Sequence, residues 1–111
     1  MDGINYKMGW MLVAFDLPVG TPVQRKAATD FRHFLLEDGF LMLQFSVYAR
    51  SMVSYARMET HLRRLKQSLP PEGSVRAIFI TQAQWDKSFI IHGSPAKPES
   101  PEGQADQLVF W

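Results

Sequence analysis

The chain has 111 residues, of which 46% are hydrophobic and 21% are charged. This length and balance are typical of one folded domain and exclude wholesale disorder. The absence of cysteine excludes disulfides, thiolate zinc sites and a cysteine nucleophile. No apolar run reaches the roughly 20 residues of a membrane span, and residues 1–7 lack the pattern of a signal peptide. We therefore expect a soluble, cytoplasmic protein.

The net charge is only +1, but the charges are unevenly distributed along the chain. Residues 39–76 contain six basic and two acidic side chains, whereas residues 98–111 contain three acidic side chains and no basic one. A basic body with an acidic end favours a polyanionic partner.

The first part of the chain predicts a strand followed by a helix. Residues 10–16 form a short apolar run that ends at Asp16, which is typical of a central strand. Thr21 then provides an N-cap for a helix over residues 22–38, and Gly39 provides its C-terminal cap. The predicted apolar stripe of this helix consists of Val23, Ala27, Phe31, Phe34 and Leu35.

The next part predicts further strands around a second helix. Residues 40–48 are long for one strand, and their pattern does not decide between one strand and two strands joined by a bend. A helix is predicted over residues 52–69 and is ended by Pro70. Residues 75–80 predict a strand, and residues 85–91 predict a further one. The predicted apolar stripe of the second helix consists of Tyr55, Met58, Leu62, Leu65 and Leu69.

This element order predicts an α+β fold, a ferredoxin-like βαββαβ arrangement with an additional C-terminal strand. Two helices would pack on one face of an antiparallel sheet. Residues 1–92 would form this domain. Residues 93–111 would form a proline-rich, acidic linker that ends in an apolar interaction tail. The tail consists of Leu108, Val109, Phe110 and Trp111.

Asp16 is the residue that most suggests chemistry. An ionised carboxylate is costly to bury, so we expect Asp16 at the edge of the sheet or beside a cation. One interpretation is a magnesium ligand or general base; the other is an aspartate that starts a loop by accepting backbone N–H bonds. A single carboxylate makes a poor magnesium site, but a two-fold dimer would supply a second copy of Asp16.

Histidine and serine carry weaker signals. His33, His61 and His92 lack metal-ligand spacing, and we expect each to be an ordinary surface or boundary residue. Ser46 has no nearby histidine in the sequence and no glycines of a nucleophile elbow, which argues against a serine triad.

Three arginines lie within two turns of the second predicted helix. They are Arg57, Arg63 and Arg64, and few acidic residues accompany them. A solvated helix face is the usual explanation, but such a group also suits sequence-independent contact with phosphates.

Two motifs together resemble a known family. Residues 15–18 read Phe-Asp-Leu-Pro after an apolar strand and precede Arg25 and Lys26, and residues 44–48 read Gln-Phe-Ser-Val-Tyr. They resemble the small CRISPR-associated spacer-acquisition protein family (Cas-two), and the resemblance extends over residues 10–91.

The resemblance implies a homodimer in which two ferredoxin-like sheets face each other, with Asp16 near the dimer axis as a ligand of Mg²⁺. Some members of the family are described as metal-dependent endonucleases acting on RNA or double-stranded DNA. In spacer acquisition, the dimer is a bridge between integrase subunits and holds DNA along a basic surface. That role does not require nuclease activity.

The resemblance also assigns individual residues. Phe15 occupies an aromatic position where tyrosine is common, so a hydroxyl group is missing. Arg25 resembles a basic residue linked to nucleic-acid contact, Phe45 and Ser46 match a motif near the dimer interface, and Arg50 makes this edge more basic. The tail at residues 108–111 is suited to adding a strand across the dimer or docking on the integrase.

Fold alone does not choose among functions. An architectural nucleic-acid-binding dimer accounts for the basic middle of the chain and the apolar tail, whereas an endonuclease accounts for Asp16 alone. The alternative is a toxin-type ribonuclease or a small-molecule sensor of the same fold outside CRISPR, which no specific residue favours. We favour the architectural role and retain endonuclease as the activity that the family implies.

Overall fold

A computed structural model describes residues 8–91 and Gly93. Four antiparallel strands lie in the order β2-β3-β1-β4, and two long helices connect them. The elements in chain order are β1 (Gly9–Asp16), α1 (Pro22–Glu37), β2 (Leu41–Gln44), β3 (Val47–Met52), α2 (Tyr55–Gln67), β4 (Ser74–Thr81) and α3 (Gln82–Trp85). The predicted ferredoxin-like βαββαβ fold is confirmed.

The ends of α1 lie where the sequence predicts them. The Thr21 side chain accepts a hydrogen bond from the backbone N–H of Gln24, and the Gln24 side-chain oxygen accepts one from the backbone N–H of Thr21. This capping box satisfies N–H groups that the first helical turn leaves without partners. At the other end, Gly39 has a φ of 92°, a left-handed conformation that favours glycine.

Residues 40–48 form two strands, which answers the question that their pattern leaves open. A two-residue turn, Phe45 and Ser46, joins β2 to β3. The backbone N–H of Phe15 in β1 donates to the Ser46 carbonyl oxygen at 3.0 Å. The bend therefore needs no glycine or proline, because β1 holds the turn from the side.

The main core lies between the sheet and the two long helices. Alternate residues of β1 enter it, as the period of a strand requires. Its buried members are Met11, Val13, Phe15, Phe31, Leu35, Phe40, Tyr48, Met52 and Leu65. The predicted apolar stripes of the two helices include residues that are not buried, since Val23 is 75% exposed and Tyr55 is 68% exposed. Ala28 and His61 are buried in the helices instead.

The strand predicted over residues 85–91 is wrong. Residues 82–85 form the helical turn α3, and the residues that follow, through 91, form no strand. Thr81 and Gln84 form a capping box that starts this turn. The Trp85 ring then stacks on Trp10 with centroids 3.9 Å apart, and the Trp10 indole N–H donates to Gln82. Burying the Trp85 ring on the sheet is favoured over extending the chain as another strand.

The predicted linker and tail lie outside the described residues, apart from Gly93. Within the described part of the chain, no helix has the length and apolar character needed to cross a membrane.

Candidate functional site

Asp16 lies at the end of β1 and is exposed. The preceding residue, Phe15, enters the core under the helices, so strand alternation directs Asp16 to the opposite, open face of the sheet. Its neighbour across the sheet is Ser74, the first residue of β4. Among the described residues, the Asp16 carboxylate has no hydrogen bond or ion pair, so it is free to accept a ligand.

The fold brings the two sequence motifs together. Ala14 pairs with Val47 across β1 and β3, and the hydrogen bond from Phe15 to Ser46 places the hairpin turn beside the strand end that carries Asp16. On the other side, Gly73 has a φ of 95°, and a Cβ atom there would lie 2.6 Å from the Asp16 carbonyl oxygen. Sequence reasoning missed Gly73, since only the neighbouring strand makes that position too crowded for a side chain.

The residues near Asp16 do not form a complete metal site within one chain. Among residues 8–91, no three His, Cys, Asp or Glu side chains are grouped closely enough to hold a metal ion. Magnesium is usually held by one or two carboxylates together with waters and substrate phosphates. One exposed carboxylate fits the role of a single ligand and not that of a whole site.

An arginine that sequence reasoning missed, Arg32, supports the hairpin turn. Its guanidinium carbon lies 4.0 Å from the centroid of the Phe45 ring and 5.5 Å from that of Phe15. Burial raises the pKa of Tyr48, while the positive charge of Arg32 and a hydrogen bond with it act in the opposite direction. The Phe45 side chain is 71% exposed, so the ring lies at the surface with the cation beneath it.

A second charged cluster surrounds Asp38, the residue that ends α1. His61 Nδ1 lies 2.6 Å from Asp38 Oδ2, and Arg64 Nη1 donates to Asp38 Oδ1 at 2.7 Å. Arg50 donates through Nε to the Asp38 carbonyl oxygen and through Nη1 to the Ser51 carbonyl oxygen. The Asp38 side chain is only 7% exposed, and its hydrogen bonds make it part of the fold.

Positive charge exceeds negative charge in this cluster. Burial lowers the pKa of Arg50; the charge of Asp38 opposes the shift, and the like charges of Arg57 and Arg64 add to it. The guanidinium groups of Arg57 and Arg64 are therefore close enough to Arg50 to repel its charge. A phosphate placed there would relieve the repulsion, which makes this cluster the best candidate for nucleic-acid contact.

His61 corrects the sequence prediction. The sequence predicts a surface or boundary histidine, but its side chain is 1% exposed and lies beside the Phe40 ring. Its burial is tolerated because Asp38, at the C-terminal end of α1, supplies a hydrogen-bond partner. Asp38, next to the Gly39 cap, is the residue that could have indicated a partner for a buried histidine. From the sequence alone, Asp38 and Gly39 indicate only the end of the helix. His33, by contrast, is exposed as predicted, and His92 lies outside the described residues.

The structure separates the predicted nucleic-acid-binding residues. Arg57 and Arg63 are exposed and have no ion pair among the described residues. Arg64 is held by Asp38, with 48% of its side chain exposed. Arg25, in the first turn of α1, donates to the Val19 carbonyl oxygen. The rise of an α-helix places Arg25 about 20 Å along the helix axis from Asp38. Arg25 is therefore not part of the cluster around Asp38.

Comparison with known proteins identifies the family. The sequence model described as CRISPR associated protein Cas2 matches residues 8–88. The CRISPR-associated endoribonuclease Cas2 of Paracidovorax avenae is 45% identical over 94 residues, which are 85% of this chain and 87% of the relative. The protein of the same name from Flavobacterium psychrophilum is 39% identical over 103 residues, which are 92% of this chain and 90% of the relative. The chain belongs to the CRISPR-associated Cas2 family, as the two motifs around Asp16 and Ser46 predict.

Proposed function

We propose that this protein acts in CRISPR spacer acquisition as a dimeric, DNA-binding bridge in the integrase complex, with a metal-dependent endonuclease activity on RNA or DNA. The observation that carries the binding role is the excess of guanidinium groups over carboxylates around Asp38. Family membership also argues against the alternative of a toxin-type ribonuclease or sensor outside CRISPR, and no described residue favours that alternative.

The open face of the sheet supports a homodimer. Trp10 and Trp85 cover one end of this face, where Leu12 packs against them. At the other end, no element of the described part of the chain covers Ala14 and Val47, which are half-buried, or Ile78, which is 39% exposed; Arg76 lies opposite Ala14. Two such faces packed together would bury these side chains and bring two Asp16 carboxylates to the same interface. A single-chain mass in light scattering would overturn the dimer.

The sheet edge supports a docking role for the apolar tail. β4 is an eight-residue strand at one edge of the sheet, and such an edge can accept an added strand through its backbone groups. We propose that residues 108–111 pair with this edge in a second copy or contact the integrase subunit.

Salt dependence of DNA affinity tests the binding role. The affinity constant K falls as the salt concentration rises, and each phosphate contact that is lost reduces the steepness of log K against log salt by about one. We expect Arg57→Ala together with Arg63→Ala to weaken binding of double-stranded DNA and reduce the slope by about two. Lys87→Ala, an exposed cation beyond β4, is the control and should leave the slope unchanged. Equal slopes for the double variant and the wild type would exclude these arginines from the interface.

The endonuclease part of the proposal rests on Asp16. A free carboxylate fits the role of one ligand to Mg²⁺, with Asp16 of a second copy as the other. Bound there, Mg²⁺ would supply positive charge for phosphodiester hydrolysis. The relatives carry endoribonuclease in their names, which supports RNA as a substrate.

Replacement of Asp16 tests this second part separately. We expect Asp16→Asn to abolish magnesium-dependent cleavage of single-stranded RNA while leaving the dimer and its DNA affinity intact. Asp30→Asn removes another exposed carboxylate and is the control. Cleavage that survives Asp16→Asn would show that Asp16 is not the metal ligand. Loss of spacer acquisition in Asp16→Asn, with the dimer intact, would contradict a purely architectural role.

A further inference from the structure

The hairpin turn presents an aromatic ring, Phe45, that contacts the helix side of the sheet, whereas the family resemblance places this residue near the dimer interface. Phe45 is 71% exposed, which is high for a phenylalanine beside a well-packed core. The ring contacts Arg32 of α1, and Arg32 also contacts Phe15 on the helix side of the sheet. Phe45 therefore lies towards the helices, on the side away from the open face that carries Asp16.

The ring is held in position from below. The Arg32 guanidinium lies 4.0 Å from the ring centroid, at cation–π distance. Arg32 in turn packs against the Phe15 ring, 5.5 Å from its centroid, and its positive charge acts on Tyr48. The backbone of the turn is anchored to β1 through Ser46. One face of the ring is thus covered by a fixed cation, and the exposure of Phe45 leaves the other face open to solvent.

The charge beneath the ring indicates the chemistry of its partner. Among the described residues, no carboxylate forms an ion pair with Arg32, so its positive charge is not neutralised locally. An aromatic face next to an unneutralised guanidinium suits a group that is flat and carries negative charge nearby. A nucleotide has both properties, since its base stacks on aromatic rings and its phosphate attracts cations.

We propose that Phe45, supported by Arg32, is a stacking platform for an unpaired nucleobase of a bound nucleic acid. The proposal rests on the nucleic-acid binding proposed above. It adds a preference for unpaired over paired strands, which the arginine cluster lacks. Contacts with phosphates do not distinguish paired from unpaired strands, whereas a base inside a duplex has no free face to stack on Phe45. The platform therefore selects a single-stranded segment or overhang.

Two DNA probes of equal length separate stacking from phosphate contact. One is a fully paired duplex with closed hairpin ends, and the other carries a single-stranded overhang containing 2-aminopurine. We expect Phe45→Ala to weaken binding of the overhang probe by about 5- to 160-fold, the usual range for loss of one base–aromatic stack. Binding of the closed duplex should change less than about twofold, and the slope of log K against log salt should be unchanged for both probes.

Further variants complete the test. Phe45→Trp should retain overhang binding and quench the 2-aminopurine fluorescence. Phe89→Ala removes another phenylalanine of similar exposure, 66%, and should leave both affinities unchanged. Equal losses for both probes in Phe45→Ala, or no loss for either, would overturn the platform while leaving DNA binding in place.

Two other outcomes identify different failures. A wild-type protein that binds neither probe would overturn the proposed DNA-binding function and the platform with it. A change in oligomeric mass in Phe45→Ala, measured by light scattering, would show that a second copy covers the ring, and this would overturn the platform alone.

Discussion

Asp16 and Asp38 each lie at the end of a regular element, yet their surroundings in the fold differ. Asp16 is exposed and has no hydrogen bond or ion pair among the described residues. Asp38 is 7% exposed and is bonded to His61 and Arg64 through its carboxylate. Because a buried carboxylate is costly without partners, the hydrogen bonds of Asp38 stabilise the fold, whereas the Asp16 carboxylate remains available to a ligand.

The contrast shows how to separate structural from functional charge in this protein. Sequence position alone makes the two aspartates look alike, as charged residues at the ends of apolar segments. Their surroundings differ because α2 packs His61 and Arg64 against the end of α1, whereas Asp16 forms no ion pair with any described residue. The free energy of unfolding should therefore respond strongly to one aspartate and weakly to the other.

The largest effect is expected for Asp38→Asn. An amide keeps the shape but removes the charge that faces Arg64 and accepts from His61, so we expect a loss of about 3 kcal/mol in the free energy of unfolding. Urea unfolding followed by circular dichroism measures it. Asp30→Asn, which affects only an exposed pair with Lys26, should cost less than about 0.5 kcal/mol. A loss below about 1 kcal/mol for Asp38→Asn would contradict a structural role for this cluster.

An intermediate effect is expected for Tyr48, which lies at the Asp16 end of the sheet but is buried. Tyr48→Phe removes the hydroxyl group that interacts with Arg32 and should cost about 1.5 kcal/mol at neutral pH. Burial raises the pKa of Tyr48, so the unfolded chain loses this proton first as pH rises. The wild type should therefore lose stability above about pH 10, where unperturbed tyrosine ionises.

The pH dependence provides its own control. Tyr48→Phe should lose less stability than the wild type between neutral and alkaline pH, measured by urea unfolding. Tyr55→Phe, at an exposed position of α2, should follow the wild type. If the free energy of unfolding falls equally with pH in Tyr48→Phe and in the wild type, burial of the Tyr48 hydroxyl group does not cause the pH dependence.

The smallest effect on stability is expected for Asp16→Asn. A surface carboxylate without partners contributes little to folding, so the free energy of unfolding should change by less than about 0.5 kcal/mol. Thermal or urea unfolding measures it on the same preparation that is tested for cleavage. A loss above about 1 kcal/mol would show that Asp16 supports its loop, and the contrast with Asp38 would fail.

Local chemistry made much of the fold predictable. The apolar run that ends at Asp16, the Thr21 cap and the Gly39 cap act within a few residues, so their signals survive in the sequence alone. The motifs around Asp16 and Ser46 were enough to indicate the family. The failures involve contacts distant in sequence: Trp85 leaves the predicted strand because Trp10 lies across the sheet from it.

Sequence patterns alone predict the order of the elements, the helix caps, an exposed Asp16 and the basic character of residues 39–76. The packing of distant elements is needed to show that His61 is buried and that Arg64 is bound to Asp38. It is also needed to show that Arg57 and Arg63 are exposed and that Arg32 lies beneath Phe45. The physical reason is that caps and periodicity are local properties, whereas burial and pairing of a charge depend on which distant element packs against it.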